Sequence, residues 1–225
     1  MELISENIFL IKNEYKFASN TYILKEPLNE NCIIIDPGLD KEQLVQVIRT
    51  NQLNPIAIIS THGHFDHLAS AAIFQRNYGI PFYLHQNDLK LSRSANFYLK
   101  LMGLDYQIEI ATPDFLITNE ITSLSIGNFN LTVFLFPGHS PGSCVIQSGD
   151  YLFSGDILFK NGLGLGTIPK EDSKRLKNSI ETIFSNFSDD MWILPGHGEH
   201  DILGNIKKNN IPLQLFLAKR NGDVA

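Results

Sequence analysis

The chain opens on runs of apolar, β-branched residues separated by short polar stretches. Residues 3–11, 17–25 and 32–36 each carry such a run and read as strands at the start of a sheet. The third, Cys32-Ile33-Ile34-Ile35-Asp36, is continuously apolar, and Asp36-Pro37-Gly38 after it is a turn signal. The period then changes. Leu44, Val45, Val47 and Ile48 recur at helical spacing and predict a helix over 41–52, with Asp40 as its cap. A strand over 56–60 follows, then a helix over roughly 67–78 that Gly79 ends. Pro81 to His85 reads as a strand. Residues 86–103 read as helical, polar at the start and apolar at Phe97, Tyr98, Leu101 and Met102. Residues 115–136 read as strands separated by Gly127-Asn128.

The second half echoes the first. Ile33-Ile34-Ile35-Asp36 precedes a helix, a strand and then Thr61-His62-Gly63-His64. Tyr151-Leu152-Phe153-Ser154-Gly155-Asp156 precedes a helix near 171–187, the strand Met191 to Leu194, and Pro195-Gly196-His197-Gly198. Each half is strand, acidic turn, helix, strand, histidine turn, the pattern of a diverged duplication. It predicts an α+β architecture of two mixed sheets packed face to face with helices outside, and polar strand ends from both halves meeting at one edge. No linker or charge run divides the halves, so residues 1–225 are expected to form a single domain.

Composition narrows the function classes. With 43% apolar and 10% aromatic residues, the 225-residue chain can bury a sizeable core. Its formal charge of 18 − 24 = −6, with no Lys/Arg stripe, argues against nucleic acid as a partner. Cys32 and Cys144 are the only cysteines and read as buried thiols, not as a disulfide framework. The first residues carry no basic n-region, and the early apolar run Ile8 to Ile11 is too short to be expected as a signal peptide or a membrane span. A reducing, cytoplasmic setting without membrane contact is expected. The oligomeric state is left open.

The chemistry concentrates in Thr61-His62-Gly63-His64-Phe65-Asp66-His67, where four potential metal ligands fall within six residues. Gly63 lets the chain turn between the first two histidines. His62 and His64 are two apart, so an extended backbone points both imidazoles to one side. Asp66 and His67 follow as a helix begins. Imidazole with carboxylate suits zinc, iron or manganese. Further candidates each close an apolar strand beside a glycine: His139 after Phe134-Leu135-Phe136, Asp156 after Leu152 to Gly155, and His197 after Met191 to Leu194.

The set His62, His64, Asp66, His67, His139, Asp156 and His197 resembles the metallo-β-lactamase superfamily over essentially the whole chain. Within it, the chain is most similar to single-domain glyoxalase-II-like hydrolases, the hydroxyacylglutathione hydrolase family. The resemblance implies the four-layer αββα sandwich and two divalent metal ions, zinc first and iron or manganese next. It implies that His62, His64 and His139 hold one ion, that Asp66, His67 and His197 hold the other, and that Asp156 bridges them. A hydroxide held between the ions would attack a small-molecule thioester, with Asp66 as the catalytic residue that orients it.

Relatives can be separated by their departures from this set. Flavin-coupled diiron reductases place Glu where His64 stands. The commonest zinc β-lactamases place Cys where Asp156 stands. The tRNA-processing nucleases carry an extra arm and basic surfaces. Persulfide dioxygenases, using one iron on two histidines and an aspartate, keep the whole ligand set and remain an alternative. A non-catalytic metal-binding scaffold is an alternative of another class. Only 28 residues follow His197 (225 − 197), unlike the long helical tail of classical glyoxalase II. The family commonly reads Gly-Arg-x-Asp where this chain has Gly164-Leu165-Gly166-Thr167, so Leu165 stands in place of an arginine that could grip a carboxylate.

Among substrate-facing candidates, Phe97 and Tyr98 either line a pocket or pack the core. Lys160, Lys170, Lys207 and Lys208 either meet an anionic substrate or lie on the surface. The glycines at 162, 164 and 166 are expected to give the site a flexible edge. His85 is expected to be structural or to stand behind the ligands, and His200 to face solvent or to stand behind them.

Overall fold

A computed structural model describes residues 1–12, 19–165 and 171–219. The chain falls into two compact units, Met1–Thr118 with Ser125–Asn130, and Asn119–Leu124 with Leu131–Ala225.

The first unit is built on a seven-stranded mixed sheet in the order β1-β2-β3-β4-β5-β6-β7. The run expected over 3–11 is two strands, β1 (Glu2–Ser5) and β2 (Ile8–Ile11), paired antiparallel around a turn at residues 6 and 7. β3 (Thr21–Lys25) and β4 (Asn31–Ile35) continue the antiparallel run. Residues 17 and 18 of the strand expected over 17–25 lie outside the described residues. Helix α1 (Lys41–Thr50) crosses over, and β5 (Asn54–Ile59) returns parallel to β4. Asp40 caps α1 by accepting from Gln43 N at 3.0 Å, and Leu44, Val47 and Ile48 turn inward. Every residue of Ile33-Ile34-Ile35 is buried, as a central strand with parallel pairing requires.

The helix expected over 67–78 is two, α2 (Phe65–Leu68) and α3 (Ala71–Tyr78). Ser70 breaks it, because its N–H donates to Pro37 O at 3.0 Å and its hydroxyl to Gly38 O at 2.5 Å. Gly79, in the left-handed region at φ 64°, ends α3 as expected. β6 (Phe82–His85) then pairs parallel to β5.

The segment 86–103 is likewise not one helix. It is a 3-10 turn at Gln86–Asp88, then α4 (Leu89–Arg93) and α5 (Ala95–Leu101). Ser92 and Ser94 donate side-chain hydrogen bonds to Leu89 O and Lys90 O, competing with the helical ladder. Tyr98 and Met102 pack on the core of this unit, whereas Phe97 (65% exposed) and Leu101 face outward.

Within 115–136, β7 (Phe115–Ile117) pairs with β6 and completes the first sheet. β8 (Ile121–Ile126) and β9 (Phe129–Leu135) belong to the second.

The second unit carries a six-stranded sheet in the order β15-β14-β11-β10-β9-β8. β9, β10 (Cys144–Ser148) and β11 (Tyr151–Gly155) run antiparallel in sequence. After the small ribbon β12 (Leu158–Phe159) and β13 (Gly162–Leu163), helix α6 (Ser173–Asn186) crosses over, and β14 (Trp192–Pro195) returns parallel to β11. Asp172 caps α6 through Arg175 N at 2.9 Å, and Leu176, Ile180 and Ile183 enter the core at helical spacing. β15 (Asp201–Ile202), α7 (Leu203–Asn209) and α8 (Ile211–Ala218) close the unit.

The duplication read from the sequence thus has a structural counterpart. β4–α1–β5 and β11–α6–β14 are both strand, helix and parallel strand, each following antiparallel strands. Each unit contributes a mixed sheet with its own helices, the α+β class expected. Both cysteines are buried thiols outside any disulfide, and burial pushes the Cys32 thiol up to about 12. Among the described residues, no helix is long and apolar enough to cross a membrane.

Candidate metal centre

In the first unit the histidine loop leaves the C-terminal end of β5. His62, His64, Asp66 and His67 are all buried there. His62 Nε2 lies 3.0 Å from His64 Nδ1, and the His62 and His67 rings are 4.2 Å apart. Asp66 Oδ2 lies 3.5 Å from His67 Nε2, and Ser19 holds the Asp66 main chain by donating to its carbonyl at 2.6 Å.

The residue that organises this loop is Asp36, which the sequence offered only as part of a turn. It is 1% exposed and sits at φ 52°. Its carboxylate accepts from Thr61 N and Thr61 Oγ1, both at 2.7 Å, and lies 2.9 Å from His67 Nδ1. The carboxylate on Nδ1 fixes the His67 tautomer, placing the lone pair on Nε2. Thr61 Oγ1 does the same for His62 at 3.1 Å, because its own proton goes to Asp36 and it accepts from Nδ1.

Gly63 has a different role from the one expected. Its φ is not in the left-handed region; the chain behind it leaves no room for a Cβ, which would stand 2.8 Å from Asp88 O.

In the second unit His139, Asp156 and His197 each follow a strand, as expected. Asp156 Oδ2 lies 3.2 Å from His197 Nε2 and 3.6 Å from His139 Nε2, so one carboxylate oxygen faces two imidazoles. His139 Nδ1 lies 3.0 Å from Gly164 O, which again puts the lone pair on Nε2. Glu171 Oε1 stands behind it at 3.8 Å. His197 is the most exposed of the three and meets Phe159 edge-on at 5.9 Å.

The segment expected to be a flexible edge is closely held. Gly162 belongs to β13, and a Cβ on Gly164 would overlap the Asp156 carbonyl and stand 3.0 Å from His139 Nδ1. Gly166, Thr167 and Lys170 lie outside the described residues.

The remaining candidates separate clearly. Leu165 is 39% exposed. The Lys160 ammonium is committed to Glu199 at 2.9 Å and Asp201 at 3.8 Å, and the Glu199 hydrogen bond raises its pKa. Lys207 is tied to Asp189 and to Phe184 O, whereas Lys208 is exposed. His85 is buried and accepts from Asn87 N at 3.3 Å. His200 lies 5.6 Å from Trp192. Cys144 is buried against Gly142 O. Tyr106, which sequence reading passed over, has its phenol pKa raised by burial and then by the charge of Asp66. Its loop carries no periodic signal that could have revealed it.

Donor chemistry fits divalent metal in both units: imidazoles with fixed tautomers beside carboxylates, the kind of set that binds zinc or iron.

Comparison with known proteins agrees. The chain is 32% identical over 184 residues to the hydroxyacylglutathione hydrolase GloC of Haemophilus influenzae, spanning 80% of this chain and 86% of that one. Among solved structures, the BLEG-1 B3 metallo-β-lactamase is 33% identical with a TM-score of 0.80, covering 92% of this chain and 99% of that one. TTHA1623, solved in a di-iron-bound form, is 30% identical with a TM-score of 0.79, covering 90% and 98%. The sequence model of the metallo-β-lactamase superfamily matches residues 15–197, and the chain belongs to that superfamily.

Proposed function

We propose that the protein is a metal-dependent hydrolase acting on a small-molecule thioester. His62, His64, Asp66, His67, His139, Asp156 and His197 are its ligands for two divalent ions. The observation that carries this reading is the tautomer control in each unit. Asp36 and the Gly164 carbonyl hold Nδ1 of His67 and His139, so both rings offer Nε2.

When bound, two such ions supply a lowered water pKa and a Lewis-acid grip on a carbonyl oxygen. The chain's own residues do the rest. Asp66 accepts a hydrogen bond from the attacking water and orients it toward the carbonyl carbon. Asp156 presents one oxygen to both sides of its histidine pair. A thiolate leaves without a general acid, and accordingly no further proton donor is assigned. The relative from Haemophilus supports a thioester substrate. Leu165 and the committed Lys160 favour carriers less polar than glutathione.

Metal analysis with a substrate panel tests the reading. Up to two ions per chain, zinc or iron, and turnover of acyl thioesters without oxygen uptake are expected. Oxygen consumption with glutathione persulfide would make the protein a dioxygenase. Turnover of β-lactams alone would make it a lactamase. Bound metal with no turnover would make it a scaffold. Substrate choice is tested by Leu165→Arg, which should lower KM for S-lactoylglutathione about ten- to a hundred-fold at similar kcat, because a charge-assisted arginine–carboxylate contact adds uniform binding. Tight binding of that thioester by the unmodified protein would refute the role given to Leu165.

A further inference from the structure

The main-chain N–H groups of the two residues flanking His62 both end on buried carboxylates. Thr61 N–H donates to Asp36 Oδ1 at 2.7 Å, and Gly63 N–H donates to Asp88 Oδ2 at 2.9 Å. Asp36 comes from the end of β4. Asp88 comes from the 3-10 turn after β6 and is fully enclosed. The contact at Gly63 is more than one hydrogen bond. A Cβ there would stand 2.8 Å from Asp88 O, 3.0 Å from Asp88 Cβ and 3.2 Å from Ser92 N, so main chain abuts main chain. The side chain and backbone of one residue therefore set both the orientation and the depth of the Gly63 main chain between His62 and His64.

We propose that Asp88 is a positioning residue for the metal position formed by His62 and His64. The inference rests on the metal reading of that pair given above. Asp88 does not touch the ion. By holding Gly63 N–H it fixes the main chain between the two imidazoles, whose His62 Nε2 and His64 Nδ1 lie 3.0 Å apart. A loop released from this anchor must be ordered at the moment of binding, and the cost appears as weaker affinity. Partners that orient metal ligands from behind typically change affinity ten- to a hundred-fold when removed. The anchor also explains a glycine between the two histidines at a φ that any residue could adopt.

The test is zinc titration of the full chain against a chromophoric chelator, for the unmodified protein, Asp88→Ala and Asp88→Asn, alongside unfolding of each metal-free protein. Asp88→Ala should raise at least one zinc dissociation constant ten- to a hundred-fold. Asp88→Asn, which keeps an oxygen acceptor in place, should stay within about threefold of the unmodified protein. A purely structural residue would instead lower the unfolding midpoint of Asp88→Ala and leave both zinc constants unchanged, which would overturn the inference. Equal losses in both variants would overturn it too, because the hydrogen bond would not be the cause. Should Asp88→Ala fail to fold, Asp88→Ser takes its place with the same expectation. An unmodified protein that binds no zinc or iron would overturn the metal reading, and this inference with it. A protein that binds metal while the variants bind it equally well would overturn this inference alone.

Discussion

The first unit pins its loops with buried carboxylates, whereas the second pins them with glycines and one asparagine. Asp36 and Asp88 accept main-chain N–H groups of the histidine loop, and Glu26 accepts that of Asn128. In the second unit, Gly164 lies against the Asp156 carbonyl, and Gly138 packs so closely on Leu176 that a Cβ would overlap it. Asn210, fully buried, donates to Phe159 O at 3.0 Å and Gly162 O at 2.8 Å while capping α8 through Leu213 N. The acidic turns at the ends of β4 and β11 therefore occupy corresponding places but do different work. Asp36 is an anchor behind a ligand, and Asp156 is itself a ligand candidate. One repeat concentrates its donors in a single clamped loop. The other spreads them over three strand ends, where close packing must place each one separately.

The sharpest way to break this contrast is to remove one buried carboxylate from each unit. Asp36→Ala leaves Thr61 N–H, the Thr61 hydroxyl and His67 Nδ1–H without their acceptor, and puts alanine at φ 52°. A loss on the order of 3–5 kcal/mol in urea unfolding of the metal-free protein is expected, together with loss of metal. Glu171→Ala removes a carboxylate 3.8 Å from His139, whose Nδ1 keeps its carbonyl partner. It should cost less than Asp36→Ala does, because His139 keeps its tautomer partner. Equal costs would mean that the two units are anchored alike.

Asp66→Asn separates ligand chemistry from anchoring within the first unit. The fold and at least one metal should remain, because the hydrogen bond from Ser19 to the Asp66 main chain is untouched by the substitution. Hydrolysis should fall on the order of 10²–10⁴-fold, since asparagine cannot act as an anionic acceptor for the attacking water. Near-normal turnover at full metal occupancy would remove Asp66 from the mechanism.

In the second unit the contrast turns on two glycines two residues apart. Gly164→Ala drives a Cβ into the Asp156 carbonyl and should cost about 1–3 kcal/mol. Gly162→Ala meets only Phe159 Cδ2 at 3.8 Å, an ordinary contact, and should stay within about 0.5 kcal/mol. Thermal unfolding of the pair decides the matter. A tolerant Gly164 would restore the flexible edge that the sequence suggested.

What was legible in the sequence follows the same division. The clustered donors of the first loop announce themselves because four potential ligands fall within one turn. Asp40 and Gly79 act on their immediate neighbours, and each performs the local task its residue type suggests. Asp36 was read as a turn because Asp-Pro-Gly is a turn signal whether or not the carboxylate is used elsewhere. Its partners, like the Gly63 partner of Asp88, lie 25 or more residues away and include main-chain groups that carry no residue-type signal. The helix breaks at Ser70 and Ser94 were missed because helical spacing of apolar residues survives a short interruption. Ser70 is claimed by the turn at Pro37 and Gly38, a contact no local pattern encodes.

The smallest expected effect tests whether carboxylate anchoring in the first unit is acid-sensitive away from the histidines. Glu26 accepts from Asn128 N and Nδ2, Asn29 Nδ2 and Asn31 Nδ2. The Asn128 side chain is the largest cause holding its carboxyl below the ordinary value of 4.5. A folded-state value below the unfolded one means that the ionised form is favoured by folding. The contribution is therefore fully present above about pH 4.5 and is lost as pH falls through the lower, folded value. Glu26→Gln should be less stable than the unmodified protein at neutral pH, and the gap should narrow as unfolding is followed from pH 5 to pH 3. Asn210 and the glycines of the second unit carry no titrating group, so Asn210→Ala should show a gap with no such narrowing. A Glu26→Gln gap that is independent of pH would show that Glu26 acts through shape alone, and the two units would then be held by the same kind of contact.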